Sequence, residues 1–191
     1  DYFRTPSKDK ANKTVLMLAK SYLGGEVTPV KQSKKLTDDQ KEFQVAIKKA
    51  YDDMKLNNLD DPNVRRAYEE LAIEILNQWQ EVTAKVEIYK DFGSGEPYSG
   101  SKAMRRDMNN ENHLFIYQTI PDQFGPPGVV YDDHPLLRPA IIDGKQVTDI
   151  NGEPMLINDV FRAVHDYYAH GLSTAQFGVL GEEAAWANHM A

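Results

Sequence analysis

The sequence predicts one α+β domain, mainly helical, with a small antiparallel or mixed sheet of three or four short strands. Three observations point there. Two successive segments between residues 38 and 83 carry apolar side chains at a 3.6-residue period. Near Lys85 that period gives way to the two-residue alternation of Val86-Glu87-Ile88-Tyr89. After a proline- and glycine-rich stretch, the last part of the chain returns to helical spacing.

The elements follow in order. A first helix is predicted from about Ser7 to Leu23, with Gly24 and Gly25 as a left-handed stop. Thr37-Asp38-Asp39-Gln40 has the form of a capping box. The helix behind it aligns Phe43, Ala46, Ile47, Ala50, Tyr51 and Met54, and Asn57 and Asn58 close it. Asp61-Pro62 opens a third helix, because Pro fits the first position, where no amide is needed. Its stripe runs through Tyr68, Leu71, Ile75, Trp79 and Val82, and these two amphipathic helices are expected to pack on each other. Val86–Tyr89 reads as a strand, Ser101–Asn110 as a short helix and Leu114–Tyr117 as a second strand. Residues 120–139 hold five prolines and two glycines and read as irregular turns. Asp143-Gly144 and Asn151-Gly152 mark a small hairpin. Asn158 is the expected cap of a helix from Asp159 to His170, ended by Gly171, and a final helix starts near Gly181.

A length of 191 residues suits a single domain, 1–191, in two parts. Residues 1–84 form a helical half, and 85–191 hold the sheet and the C-terminal helices. With 41% hydrophobic and 27% charged residues, the chain can bury a core. No apolar run reaches the roughly 18 to 20 residues that span a bilayer, so a soluble protein with no membrane partner is expected. The chain opens at Asp1 without a Met or a leader and reads as a piece of a longer protein. The absence of Cys excludes disulfides and thiolate metal sites and suits the cytosol. The net charge of −7 is uneven: residues 1–50 hold 11 Lys or Arg against 6 Asp or Glu, and the remainder 11 against 23. The acidic bulk argues against non-specific nucleic-acid binding. The basic third reads as solvated helix faces or a surface for an acidic partner.

The chemistry concentrates at the C-terminus. His165, His170 and His189 are three of the five histidines, and Asp166, Glu182 and Glu183 lie beside them. Each helical residue turns the chain by about 100°. Asp166 and His170 therefore share a face with Arg162, whereas His165 and His170 reach one ion only if the helix unwinds before His170. In the last helix Glu182, Ala185, Trp186 and His189 share a face, and Glu183 points aside. A carboxylate and an imidazole beside a Trp call for buried polar partners, which the preceding helix supplies. Three arrangements answer that pattern. Asp166, His170, Glu182 and His189 can hold a divalent metal such as Zn, Mn or Fe. His165, Asp166 and Glu182 can act catalytically, by acid–base exchange or around such a metal. The same groups can also form a hydrogen-bond network that only ties two helices together.

Other motifs are weaker. Gly93-Ser94-Gly95 follows a strand but lacks the spacing and Lys of a phosphate loop. Arg105 and Arg106 suit an anion or bulk water, and His134 in Asp132-Asp133-His134-Pro135 reads as a surface turn. No nucleophile elbow is present.

The run Asn158-Asp159-Val160-Phe161-Arg162-Ala163-Val164-His165-Asp166-Tyr167 to His170, with Gly181-Glu182-Glu183, Trp186 and His189, resembles an uncharacterised domain of bacteriophage and prophage proteins. That domain occurs in large polyvalent phage polypeptides and virion-associated proteins. Asp61-Pro62, Ala67-Tyr68, Tyr98, Ala103-Met104-Arg105 and His113-Leu114 extend the likeness over about residues 60–191. The resemblance implies a phage or prophage origin and a place in the host cytoplasm or the virion. It also implies partners among other regions of a larger phage polypeptide or virion proteins. It brings no activity, so only the positions His165, Asp166, His170, Glu182, Glu183 and His189 carry over. The leading expectation is a metal-dependent hydrolase of phosphoester or amide bonds. The rival is a non-catalytic virion or interaction module.

Overall fold

The computed structural model describes residues 12–189, apart from 33, 55–57, 92, 94–95, 130, 132 and 174. Helix α1 (Lys13–Leu23) opens on Asn12, whose side-chain oxygen accepts from the amides of Thr14 and Val15. Gly24, with φ of 64°, closes it, as its sequence implies. The expected start at Ser7 lies outside the described residues. Helix α2 (Asp38–Asp53) has the full capping box: Thr37 Oγ1 accepts from the Gln40 amide at 3.3 Å, and Gln40 Oε1 from the Thr37 amide at 2.9 Å. It ends before Met54, ahead of the expected close at Asn57 and Asn58, of which Asn57 lies outside the described residues. Helix α3 (Pro62–Thr83) begins as expected, with Asp61 accepting from the Asn63 amide at 2.9 Å.

The expected packing of α2 on α3 is not what forms. Ile75, Trp79 and Val82 of α3 are covered by α5 (Ile157–His165) and by α1. The apolar stripe of α2 stays open, with Ile47 at 51% and Tyr51 at 67% exposure. It flanks a groove whose other side carries Trp186. Periodicity shows that a helix has an apolar face, not which neighbour covers it.

Strands β1 (Glu87–Asp91) and β2 (His113–Tyr117) pair in parallel and are joined through α4 (Ser101–Asn110). Strands β3 (Ile141–Ile142) and β4 (Lys145–Gln146) form an antiparallel hairpin. Asp143 and Gly144 lie at φ of 51° and 74°, which the left-handed hairpin turn requires. Among the described residues the four strands thus divide into two two-stranded sheets in a mainly helical α+β chain. Side chains alternate along the β1–β2 ribbon. Ile88, Leu114 and Ile116 enter the core with Met104, Met108, Val160 and Val164. Tyr89, Phe115 and Tyr117 take the opposite face. No helix among the described residues is long and apolar enough to cross a membrane.

Two local expectations are corrected. Helix α5 starts at Ile157, not Asp159, and Asn158 does not cap it: its Nδ2 donates to Thr119 Oγ1 at 3.0 Å. The buried Asp159 takes that role, accepting from the Leu156 amide at 2.9 Å and from the Thr119 amide at 2.7 Å. His134 is not on a surface turn. It is 4% exposed and sits among the rings of Tyr68, Phe124 and Tyr131, at centroid distances of 4.8, 4.9 and 5.4 Å. Its Nδ1 accepts from the Leu136 amide at 3.2 Å.

Burial, and then the charge of nearby Arg138, lower the His134 pKa from its ordinary value. Asp133, the other charged group close by, is engaged by Arg138 and Arg65. The unfolded chain therefore takes up a proton more readily than the folded one. This part of the stability is complete above a pH of about 6.5 and falls as pH drops below it. Urea unfolding at pH 7.5 and pH 5 should show that loss, and His134→Asn, which can accept at a cap without titrating, should reduce it. An identical pH slope in the two proteins would contradict the assignment.

Candidate functional site

The segment after α5 is a π turn (Asp166–His170), in which the Gly171 amide donates to the Asp166 carbonyl five residues back at 2.9 Å. In an α-helix, residues five apart point roughly 140° away from each other. The one-residue widening brings His170 round beneath His165, and their ring centroids lie 5.1 Å apart at 80°. The helix widens instead of unwinding as the spacing suggested. Gly171 ends the turn, as expected, with φ of −67° in the right-handed region. A Cβ there would lie 2.1 Å from the Tyr167 carbonyl oxygen and 3.0 Å from Met108 Cε. Glycine is what lets the widened turn fold back on itself.

Helix α6 (Val179–His189) rests on this turn through small side chains, Ala184, Ala185 and Ala187 against Ala169 and Ala175. Asn188, 5% exposed, locks the contact. Its Oδ1 accepts from the Val30 amide at 2.6 Å, and its Nδ2 donates to the Ala169 carbonyl at 3.2 Å and to Ser173 Oγ at 2.9 Å. The only trace of it in the sequence is one amide residue in an alanine-rich helix.

The structure brings three expected residues together. His165 Nε2 lies 3.6 Å from Glu182 Oε2, and His170 Nε2 lies 3.3 Å from Glu182 Oε1. One ligand atom from each falls within 4.8 Å of the others. His170 is 1% exposed, and its Nδ1 faces the Ala175 carbonyl at 3.3 Å. That contact makes Nδ1 the donor and turns Nε2 toward Glu182. Burial lowers the His170 pKa, but the Glu182 hydrogen bond and charge outweigh it, so the pKa is raised. Burial likewise raises the Glu182 carboxyl, yet the two imidazoles hold it at about 2.

The other expected residues stand around this trio. Asp166 lines the same cleft, where burial pushes its carboxyl up to about 6 against the pull of both imidazoles. His189 does not join the trio. Its ring centroid is 5.7 Å from that of His165, but its Nε2 meets Gln78 Oε1 at 3.2 Å. Burial, followed by the His165 charge, lowers its pKa to about 4. Glu183 points aside and accepts from Gln44 Nε2. Trp186 is 59% exposed, so Glu182 is not held on a buried Trp-bearing face. Of the weaker candidates, Arg105 donates to the Ser173 carbonyl at 2.7 Å, and Gly93-Ser94-Gly95 lies largely outside the described residues.

The trio sits in a cleft of about 240 Å³ with an aromatic wall. Phe115 and Tyr117 come from the outer face of the ribbon, and Tyr98, Phe161 and Phe177 complete it. Tyr98 is fixed by donating to Asp107 Oδ2 at 2.7 Å and accepting from the Phe115 amide at 3.0 Å. These aromatics went unassigned in the sequence because strand alternation alone does not say what the second face meets.

The donor set fits a divalent ion. A tetrahedral ion with bonds of about 2.0–2.2 Å separates its ligand atoms by roughly 3.3–3.6 Å. The two His–Glu separations fall at that spacing, each to a different Glu182 oxygen, while the three ligand atoms together spread over up to 4.8 Å; two His with one Glu would leave a fourth position open. No family model, no curated protein and no solved structure matches this chain. The geometry therefore stands alone as the ground for function.

Two substitutions test the scaffold. Gly171→Ala should cost roughly 1–3 kcal/mol through overpacking, measured by urea denaturation. Asn188→Ala leaves the buried Val30 amide without its acceptor and should cost about 1–3 kcal/mol. A loss below a few tenths of a kcal/mol in either would refute its assigned role.

Proposed function

We propose that His165, His170 and Glu182 hold a divalent metal, Zn, Mn or Fe, and that the cleft hydrolyses a phosphoester or amide bond. The observation that supports this most is the π turn, which spends one extra residue to aim two imidazole nitrogens at one carboxylate. A bound ion supplies Lewis acidity and lowers the pKa of a coordinated water toward neutrality. The carboxylate of Asp166, beside the trio, is the candidate proton acceptor. The aromatic wall is the surface that would orient the substrate. On the resemblance alone, we place the domain in a larger phage or prophage polypeptide of the host cytoplasm or virion. Its partners are then neighbouring regions of that polypeptide or virion proteins.

A second reading has an observation of its own. Glu182 already meets both imidazoles directly, so the trio can serve as a hydrogen-bonded tie in a non-catalytic virion module.

Metal titration separates the two. Purified protein should bind one Zn or Mn ion per chain, and chelator should lower its melting temperature. His170→Ala and Glu182→Gln should each weaken binding by more than the 10- to 100-fold typical of outer-shell changes. No stoichiometric ion, together with unchanged melting in chelator, leaves only the structural tie.

A further inference from the structure

We propose that Arg162 is the anion-binding residue of this cleft, and that the substrate is a phosphoester bearing a flat aromatic group rather than an amide; this rests on the metal reading above. Arg162 lines the cleft beside the trio. Its guanidinium carbon lies 5.4 Å from the centroid of the Tyr117 ring. Among the described residues it makes no hydrogen bond and no ion pair. Of the other described arginines, Arg65 and Arg138 are engaged with Asp133, Arg66 with Glu70 and Arg105 with a backbone carbonyl, while Arg106, exposed on α4 and outside the cleft, likewise makes neither. A half-buried guanidinium stacked on a ring, with the Asp166 carboxylate in the same cleft and no hydrogen bond among the described residues, keeps its donors for a planar, two-pronged oxyanion.

Charge decides between the substrate classes. Glu96, Asp166 and Glu182 place three carboxylates in the cleft against the one guanidinium. A divalent ion on the trio brings that count to neutrality, so the metal favours the entry of an anion that Arg162 then binds. A neutral amide needs no guanidinium. The walls then choose the group on the phosphorus. Tyr98, Phe115 and Phe177 line the cleft beside the trio and give it an apolar aromatic wall, although Tyr89 already stacks on Phe115 at 4.7 Å. In the reaction, water oxygen bonds to phosphorus and the ester P–O bond breaks with its electron pair on the leaving oxygen. One water proton ends on that oxygen and the other on the product phosphate.

Phenylphosphonate, which cannot be hydrolysed, is the probe, titrated calorimetrically into Mn-loaded and metal-free protein. Arg162→Met should weaken it on the order of 10- to 100-fold while Mn affinity stays unchanged, as expected for losing a charged hydrogen-bond partner. Arg162→Lys should recover part of the loss. Phe115→Ala should erode the preference for phenyl- over methylphosphonate. Equal affinity in Arg162→Met, or Mn binding without any phenylphosphonate binding, overturns the anion assignment and leaves the metal site standing. Phenylphosphonate binding through Arg162 in a protein that takes no Mn keeps the assignment and removes the metal. Binding of neither overturns both.

Discussion

A single backbone hydrogen bond, Gly171 N–H to Asp166 C=O, determines which side chains converge in the cleft. Because it spans five residues, the chain gains a residue in one turn, and His165 and His170 come to share a face. With the ordinary four-residue bond they would diverge, and Glu182 would meet one imidazole at most. The bond in turn needs a glycine, since any Cβ at 171 collides with the Tyr167 carbonyl. One small residue thus connects a widened turn to the convergence of three side chains. π turns of this sort recur at functional sites.

Energetics distinguish the scaffold from the site. Helix α6 is held by close alanine contacts and by the buried Asn188 amide, which satisfies groups on two other segments. The Glu182 side chain, at 49% exposure, contributes little by comparison, because ion pairs at such positions are worth about 0–1 kcal/mol. A half-exposed carboxylate lying in the cleft against two imidazoles is what the proposed metal site would require. The β1–β2 ribbon shows the same division. One face is core, and the other supplies Phe115 and Tyr117 to the cleft.

The legible part of the fold was the part written in local chemistry. The Thr37–Gln40 capping box, the Asp61-Pro62 start, the Asp143-Gly144 turn and the change of period near Lys85 each act within a few residues. Tertiary choices were less visible. The stripe on α2 predicted a partner helix, but α5 covers α3 and leaves Ile47 and Tyr51 exposed. His134 looked like part of an acidic surface turn because Tyr68, Phe124 and Tyr131, which enclose it, are remote or irregularly spaced. At the site, residue types were visible and geometry was not. His165, His170 and Glu182 converge through a turn that ideal helical spacing cannot foresee, whereas His189, on the expected face, turns to Gln78. Arg162 was seen only as a neighbour of Asp166 on the helix, because Tyr117, the ring it stacks on, is distant in sequence.

X-ray absorption at the Zn edge of the loaded protein addresses the central claim most directly. The account predicts a shell of nitrogen and oxygen only, with two imidazole scattering patterns that fall to one in His165→Ala and to one in His170→Ala. A shell containing one imidazole or none in the unaltered protein would contradict it.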